Sequence, residues 1–126
     1  MVQRKFEEEI SSVISKYRKE ITGRGPIDTI SKVIGHTIYV KLNVAYSLHE
    51  KNLYKVVKNY NGLEEVCELY AHDFRGLIDG ILTDFGFSIH VDHVLIYPDI
   101  DHDYIYCLIV LKKNLEKELI KNLGTS

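Results

Sequence analysis

The sequence is short of the residues that break or staple a fold: it has two prolines and two cysteines among 126 residues, and no compositionally biased tract. The scarcity of proline and of low-complexity sequence excludes a disordered chain. The cysteine count excludes a disulfide scaffold, and neither Cys67 nor Cys107 sits in a CxxC setting. Each falls inside a predicted helix or strand between apolar neighbours, which marks two core thiols rather than a redox pair. No apolar run approaches the ~20 residues that cross a bilayer, so direct membrane insertion is not expected. The N-terminal segment is an acidic helix where a signal peptide would carry a basic and then an apolar stretch, and the expected location is the cytoplasm. A positive balance is also missing: 16 basic and 18 acidic residues give a formal charge of −2. Nucleic-acid binders draw much of their affinity from neutralising phosphate, so no nucleic-acid partner is expected.

What is present is ordinary globular material, 45% hydrophobic and 27% charged. Its length suits one domain over residues 1–126, without help from metals or cofactors. From Phe6, the residues Ile10, Val13, Ile14, Tyr17 and Ile21 keep helical spacing over about 3–22, with Glu7, Glu8, Glu9, Lys16, Arg18 and Lys19 assigned to the other side. Gly23-Arg24-Gly25-Pro26 ends that helix, because the glycines permit positive φ and the proline lacks an amide hydrogen. Two strands over 27–46 flank Gly35-His36, the second alternating Ile38, Val40, Leu42, Val44 and Tyr46 inward with Lys41 and Asn43 outward.

Ser47 with Glu50 three positions on is a capping box, followed by a short helix whose buried stripe is read as Leu53, Val56, Val57 and Tyr60. Asn59, Asn61 and Gly62 interrupt it. Leu63, Val66, Cys67, Tyr70, Phe74, Leu77, Ile78, Ile81, Leu82 and Phe85 then hold helical spacing for six turns, closed by Gly86. Strands over 87–97 and 104–111 enclose an acidic turn, and Leu115, Leu119, Ile120 and Leu123 make an amphipathic helix over 113–123. The order α-β-β-α-α-β-β-α predicts an α+β fold, a four-stranded mainly antiparallel sheet with helices packed on it.

In the last strand both alternating sets are apolar: Tyr104, Tyr106, Leu108 and Val110 on one face, Ile105, Cys107, Ile109 and Leu111 on the other. Such a strand is covered on both sides, by helices on one and by a further helix or a second subunit on the other. A homodimer is expected.

Several constellations invite chemistry and lack a part. The Gly23–Pro26 turn is not a phosphate loop, since it lacks the GxxxxGK[ST] spacing and precedes a strand. Asp99-x-Asp101-x-Asp103 resembles the start of a calcium loop, but Tyr104 and Val110 occupy the positions that need glycine and glutamate. His90, Asp92 and His93 lie on the strand over 87–97, with His90 and Asp92 on one face and His93 on the other, so a zinc site there would have to recruit His102, His72 or Asp99 from elsewhere. His49-Glu50 and His72-Asp73 are adjacent on helices, where side chains diverge by roughly 100° and cannot act as a couple. No serine, cysteine or zinc hydrolase signature and no dinucleotide fingerprint is present. Two readings stay open: a non-catalytic module that binds a partner, or a small-ligand, metal or catalytic site in the His90/Asp92/Asp99 region.

With these elements in place, residues 3–112 resemble the MpsC-like family. That family's pattern is a leading amphipathic helix, a G-[KR]-G-P turn, a strand pair, an L-[ST]-x-x-E-[KR]-x-L helix start, an arginine in a longer helix, and an aspartate after a late strand. Gly23, Arg24, Gly25 and Pro26 supply the turn, Glu50, Lys51 and Leu53 the helix start, and Arg75 and Asp99 the last two positions, although Tyr46-Ser47-Leu48 stands where a Leu-Thr pair is usual. The resemblance implies a small cytoplasmic accessory protein of a sodium-translocating, membrane-potential-generating or inorganic-carbon uptake system, with a membrane transport protein as partner and no established enzymatic activity. If the turn packs near the second helix, Arg24, Glu50, Lys51 and Arg75 form one polar patch suited to a partner or a small anion.

Overall fold

Helix α1 (Val2–Thr22) opens the fold and buries Phe6, Ile10 and Ile14 completely. It is followed by β1 (Asp28–Ile34), β2 (Thr37–Asn43), α2 (Leu48–Asn59), α3 (Gly62–Asp84), β3 (Val91–Asp99), a 3-10 turn (Ile100–His102), β4 (Tyr104–Leu111) and α4 (Leu115–Leu123). This computed structural model describes residues 2–59 and 62–123. Tyr60 and Asn61, and the side chains of Val57, Asn59, Leu63 and Leu123, lie outside what it describes. The expected α+β order is present, and every strand pairing is antiparallel, in the order β1-β2-β4-β3.

The helix ends follow from local chemistry. Gly23 adopts φ +80 and its amide donates to Lys19 O at 2.8 Å, a left-handed cap. Gly25, expected to share that freedom, has no positive φ. At the end of α3, Gly86 has φ +82, its amide reaches Thr83 O and that of Phe87 reaches Leu82 O, the paired bonds of a Schellman ending. Gly35, at φ +59, takes the first place of the two-residue β1–β2 turn, as a type II′ hairpin requires. Ser47 and Glu50 form the expected box: Glu50 N donates to Ser47 Oγ at 3.1 Å and Ser47 N to Glu50 Oε1 at 3.2 Å.

All four helices lie on one side of the sheet or at its edges, over a core that joins Ile38, Val40, Leu42, Ile105, Cys107 and Ile109 to the buried residues of α1, α3 and α4. Both edge strands are held by helix side chains four residues apart. On β1, Gln3 Nε2 donates to Val33 O and Val33 N donates to Glu7 Oε2 at 2.7 Å. Ser11 and Ser15 continue the row, bonding Ser31 and Thr29. The match is geometric: four helical residues advance ~6.0 Å and two strand residues ~6.6 Å. On β3, Arg75 Nη2 donates to Val91 O at 3.0 Å and Val91 N to Asp79 Oδ1 at 3.0 Å.

Four expectations need correction. Arg18, assigned to the wet side of α1, is buried at 7% exposure, because it lies four residues after Ile14 on the inward stripe. Leu53 and Val56 are exposed and do not form the buried stripe of α2; Tyr54 is its inward residue, its ring edge-on to Tyr46 at 5.7 Å. Ile120 is exposed on α4, where Leu115 and Leu119 carry the packing. A bulge between Val91 and His93 leaves both Asp92 and His93 exposed, so the alternation expected through His90, Asp92 and His93 does not hold.

Candidate functional site

Two regions combine exposed or charged groups with a shaped surface. The first lies at the sheet end of α1 and the start of α2. Arg18 Nη2 meets Glu50 Oε2 at 2.9 Å, and the guanidinium carbon lies 5.6 Å from the centre of the Tyr46 ring. Glu50 is thereby used twice, one oxygen capping α2 and the other pairing with the arginine. Tyr46 donates to Tyr104 O at 3.0 Å, which ties the cluster to β4. Burial, with a smaller repulsion from Tyr54, raises the Tyr46 hydroxyl pKa, and burial pushes that of Tyr54 up to about 12. Both remain neutral hydrogen-bonding groups at physiological pH. Arg18, Tyr54, Cys67 and Tyr70 border a cavity of about 30 Å³, large enough for about one water molecule.

The second region is the outer face of the sheet. No helix of the described residues covers it, so β4 is helix-covered on one side only. Ile30, Tyr39, Leu95, Tyr97, Tyr106 and Leu108, with Lys32 and Lys41, surround a shallow concavity of about 540 Å³. The strand registers explain the grouping: Ile30 pairs with Lys41, Lys41 with Tyr106 and Tyr106 with Tyr97, a row running across all four strands. Tyr97, at 66% exposure, and Leu95, at 55%, stand out as large apolar groups in water. Lys41 Nζ lies 4.2 Å from the Tyr104 ring centre and 5.8 Å from that of Tyr106, cation–π distances that hold its charge against the apolar surface.

Of the residues expected to form one polar patch, Arg75 is bonded on the α3–β3 side, and Glu50 and Lys51 have commitments of their own. Glu50 is spent on Arg18 and the cap. Lys51 Nζ stands 3.9 Å from Asp103 Oδ1, within charge attraction but beyond hydrogen-bond length. That oxygen is itself screened from solvent and has no hydrogen-bond partner among the described residues. Arg75 is committed to the Val91 carbonyl, on the α3–β3 side. Arg24 is exposed on the turn, with its backbone bonded to Thr22 Oγ1 and no ion pair among the described residues. Arg18 was missed because its charge outweighed its position; its place four residues after Ile14 is the signal that finds it.

The acidic turn is occupied by its own contacts. Asp99 holds His102 Nδ1 at 2.9 and 3.0 Å, which raises the imidazole pKa. Asp103 adopts φ 58, a left-handed position, and its carbonyl accepts from Val44 N. Asp92 bonds His93 at the bulge. Asp92 and Asp99 are seven residues apart on β3, a rise of ~23 Å, so one site cannot use both. Among the described residues no three His, Cys, Asp or Glu side chains are placed to share a metal ion.

An antiparallel α+β module with one helix-covered and one open sheet face is the class of protein these features define. The chain belongs to the family whose model is described as "Na+-translocating membrane potential-generating system (MpsC)", which matches residues 2–101. No curated protein matches the chain, and no solved structure does. Among the described residues no helix is long and apolar enough to cross a membrane.

Proposed function

We propose that the chain is a non-catalytic accessory or regulatory component of its family's sodium-translocating, membrane-potential-generating system, working in the cytoplasm by binding protein through the open face of its sheet. The observation that carries this reading is the face itself. Six large apolar side chains, Ile30, Ile34, Tyr39, Leu95, Tyr97 and Tyr106, stand substantially exposed on it, and contiguous apolar surface of that kind marks an interaction site. The family description supplies the setting. A membrane transport protein is the partner class, and a second copy of the chain is the homotypic occupant expected from the two-sided composition of β4. Arg24, Lys51 and Arg75 are the members of the expected polar set with side chains accessible to such a partner, while Glu50 serves the fold.

The test is complementation of cells deleted for the chain. Wild type is expected to restore the sodium-dependent membrane potential. Leu95→Glu combined with Tyr97→Glu, accumulated to the same folded level, is expected not to. Full restoration by that variant would overturn the reading.

A further inference from the structure

The open face carries two cations in an otherwise apolar row, and neither Lys32 nor Lys41 has an ion-pair partner among the described residues. Packing this face against itself about a two-fold axis would bring the four lysines of two copies into one partly desolvated contact, with no carboxylate among the residues that line the concavity. A self-complementary dimer is therefore the wrong geometry for it. The face calls for an apolar surface carrying carboxylates.

The chain displays such a surface elsewhere. On α2, Leu53 and Val56 are exposed, and on α3 Leu69 is exposed at 67%. Leu53 and Val66 border a depression of about 240 Å³ between the two helices. Glu65 and Glu68 are exposed, lie four and one residues before Leu69, and have no ion-pair partner among the described residues. Residues spaced i, i+3 and i+4 share one helical stripe, so Glu65, Glu68 and Leu69 present one surface of mixed acid and leucine. A helix is ~10–12 Å across, and the four strands span ~14 Å, so one helix can lie along the concave sheet face.

We infer that a second copy of this chain docks its α2–α3 surface, built on Leu53, Val56 and Leu69 with Glu65 and Glu68, onto the open sheet face of the first, with Lys32 and Lys41 receiving the carboxylates. The contact is head-to-tail. Each added copy leaves one free face of each kind, so assembly proceeds to a ring or an open chain and does not stop at a closed dimer. The inference rests on the sheet face being the binding surface proposed above, and it assigns that surface a first occupant.

The test uses the purified full chain in sedimentation velocity. Wild type is expected to gain mass with concentration at low salt and to lose it as salt screens the contact. Lys32→Glu with Lys41→Glu, and separately Glu65→Lys with Glu68→Lys, are each expected to sediment as monomers with unchanged circular dichroism. An equimolar mixture of the two variants restores opposite charge at both joints, the acidic helices of the first meeting the basic sheet of the second and the basic helices of the second meeting the acidic sheet of the first. It is expected to regain the association that each variant alone has lost. Leu69→Asp probes the apolar part of the contact independently and is expected to be monomeric. A strictly monomeric wild type would overturn the inference, as would a mixture that stays monomeric, or an association lost in the lysine variant and kept in the glutamate variant. Failure here leaves the membrane-system reading standing if the cell assay still responds to Leu95 and Tyr97, since the purified chain reports self-association alone.

Discussion

Arg18 and Glu50 lie 32 residues apart in sequence and meet at 2.9 Å, the guanidinium almost enclosed and the carboxylate partly so. The pair fastens the last turns of α1 to the first turn of α2, and it does so through the same glutamate that caps α2. Removing the arginine strips a charge partner from Glu50 and leaves space beside Tyr46. Arg18→Met is expected to lower unfolding free energy by about 2 to 3 kcal/mol, the range for a charged hydrogen bond lost in a half-buried setting. Chemical denaturation measures it, and a change below about 0.5 kcal/mol would show that the pair contributes nothing net.

The two glycines of the family turn should behave differently. Gly23 sits at φ +80, a conformation that costs a side-chain-bearing residue about 1 to 2 kcal/mol. Gly25 has no positive φ, and a methyl group there would meet only Lys19 Cβ at 3.9 Å, ordinary contact. Gly23→Ala is expected to lower the melting temperature and Gly25→Ala to leave it nearly unchanged. Equal effects would mean that the second glycine serves something other than backbone conformation.

His102 offers a pH signature. Its bond to Asp99 favours the protonated ring, so its pKa lies above the ordinary 6.5. The sign follows: protonation is favoured by the folded state, so its stabilising contribution is present at acidic pH and is lost as pH rises through the raised value. An NMR titration of the imidazole should have a midpoint above 6.5, and Asp99→Asn should bring it down. A midpoint unmoved by the substitution would place the cause elsewhere.

The cysteines should report burial in order. Burial raises both thiol pKa values, and Cys107 is far more enclosed than Cys67. Since the thiolate is the reactive form, alkylation at neutral pH is expected to modify Cys67 slowly and Cys107 only on unfolding. Rapid labelling of Cys107 in the native protein would contradict the packing of β4 under the helices.

The contrast between what could be read in the sequence and what could not has a physical basis. Local signals carried through: Ser47 with Glu50, Gly86 after the six-turn stripe, and the alternation of β2 each encode their own geometry in a few neighbouring residues. Positions decided by tertiary contact did not. Arg18 is drawn inside because Glu50 and the Tyr46 ring wait there, which no count of charges along α1 can show. Leu53 and Val56 stay outside because α2 turns Tyr54 inward, edge-on to Tyr46. The bulge at Asp92 shifts the outward set of β3 by one residue, and the β1-β2-β4-β3 order depends on pairings invisible to a one-dimensional pattern. For the candidate site, the two-sided composition of β4 marked the apolar outer face of the sheet, whereas the bond of Arg75 to Val91 needed coordinates.

The grips at Val33 and Val91 have a consequence for how this molecule tolerates company. Each outer strand has both hydrogen-bonding groups of one residue occupied by a helix, Gln3 with Glu7 on one side and Arg75 with Asp79 on the other. Those are places where a foreign strand would otherwise begin to zip on and seed fibril growth. Pro98 blocks a further amide on β3. The sheet can therefore keep an apolar face open while each of its borders offers fewer free backbone groups to a foreign strand.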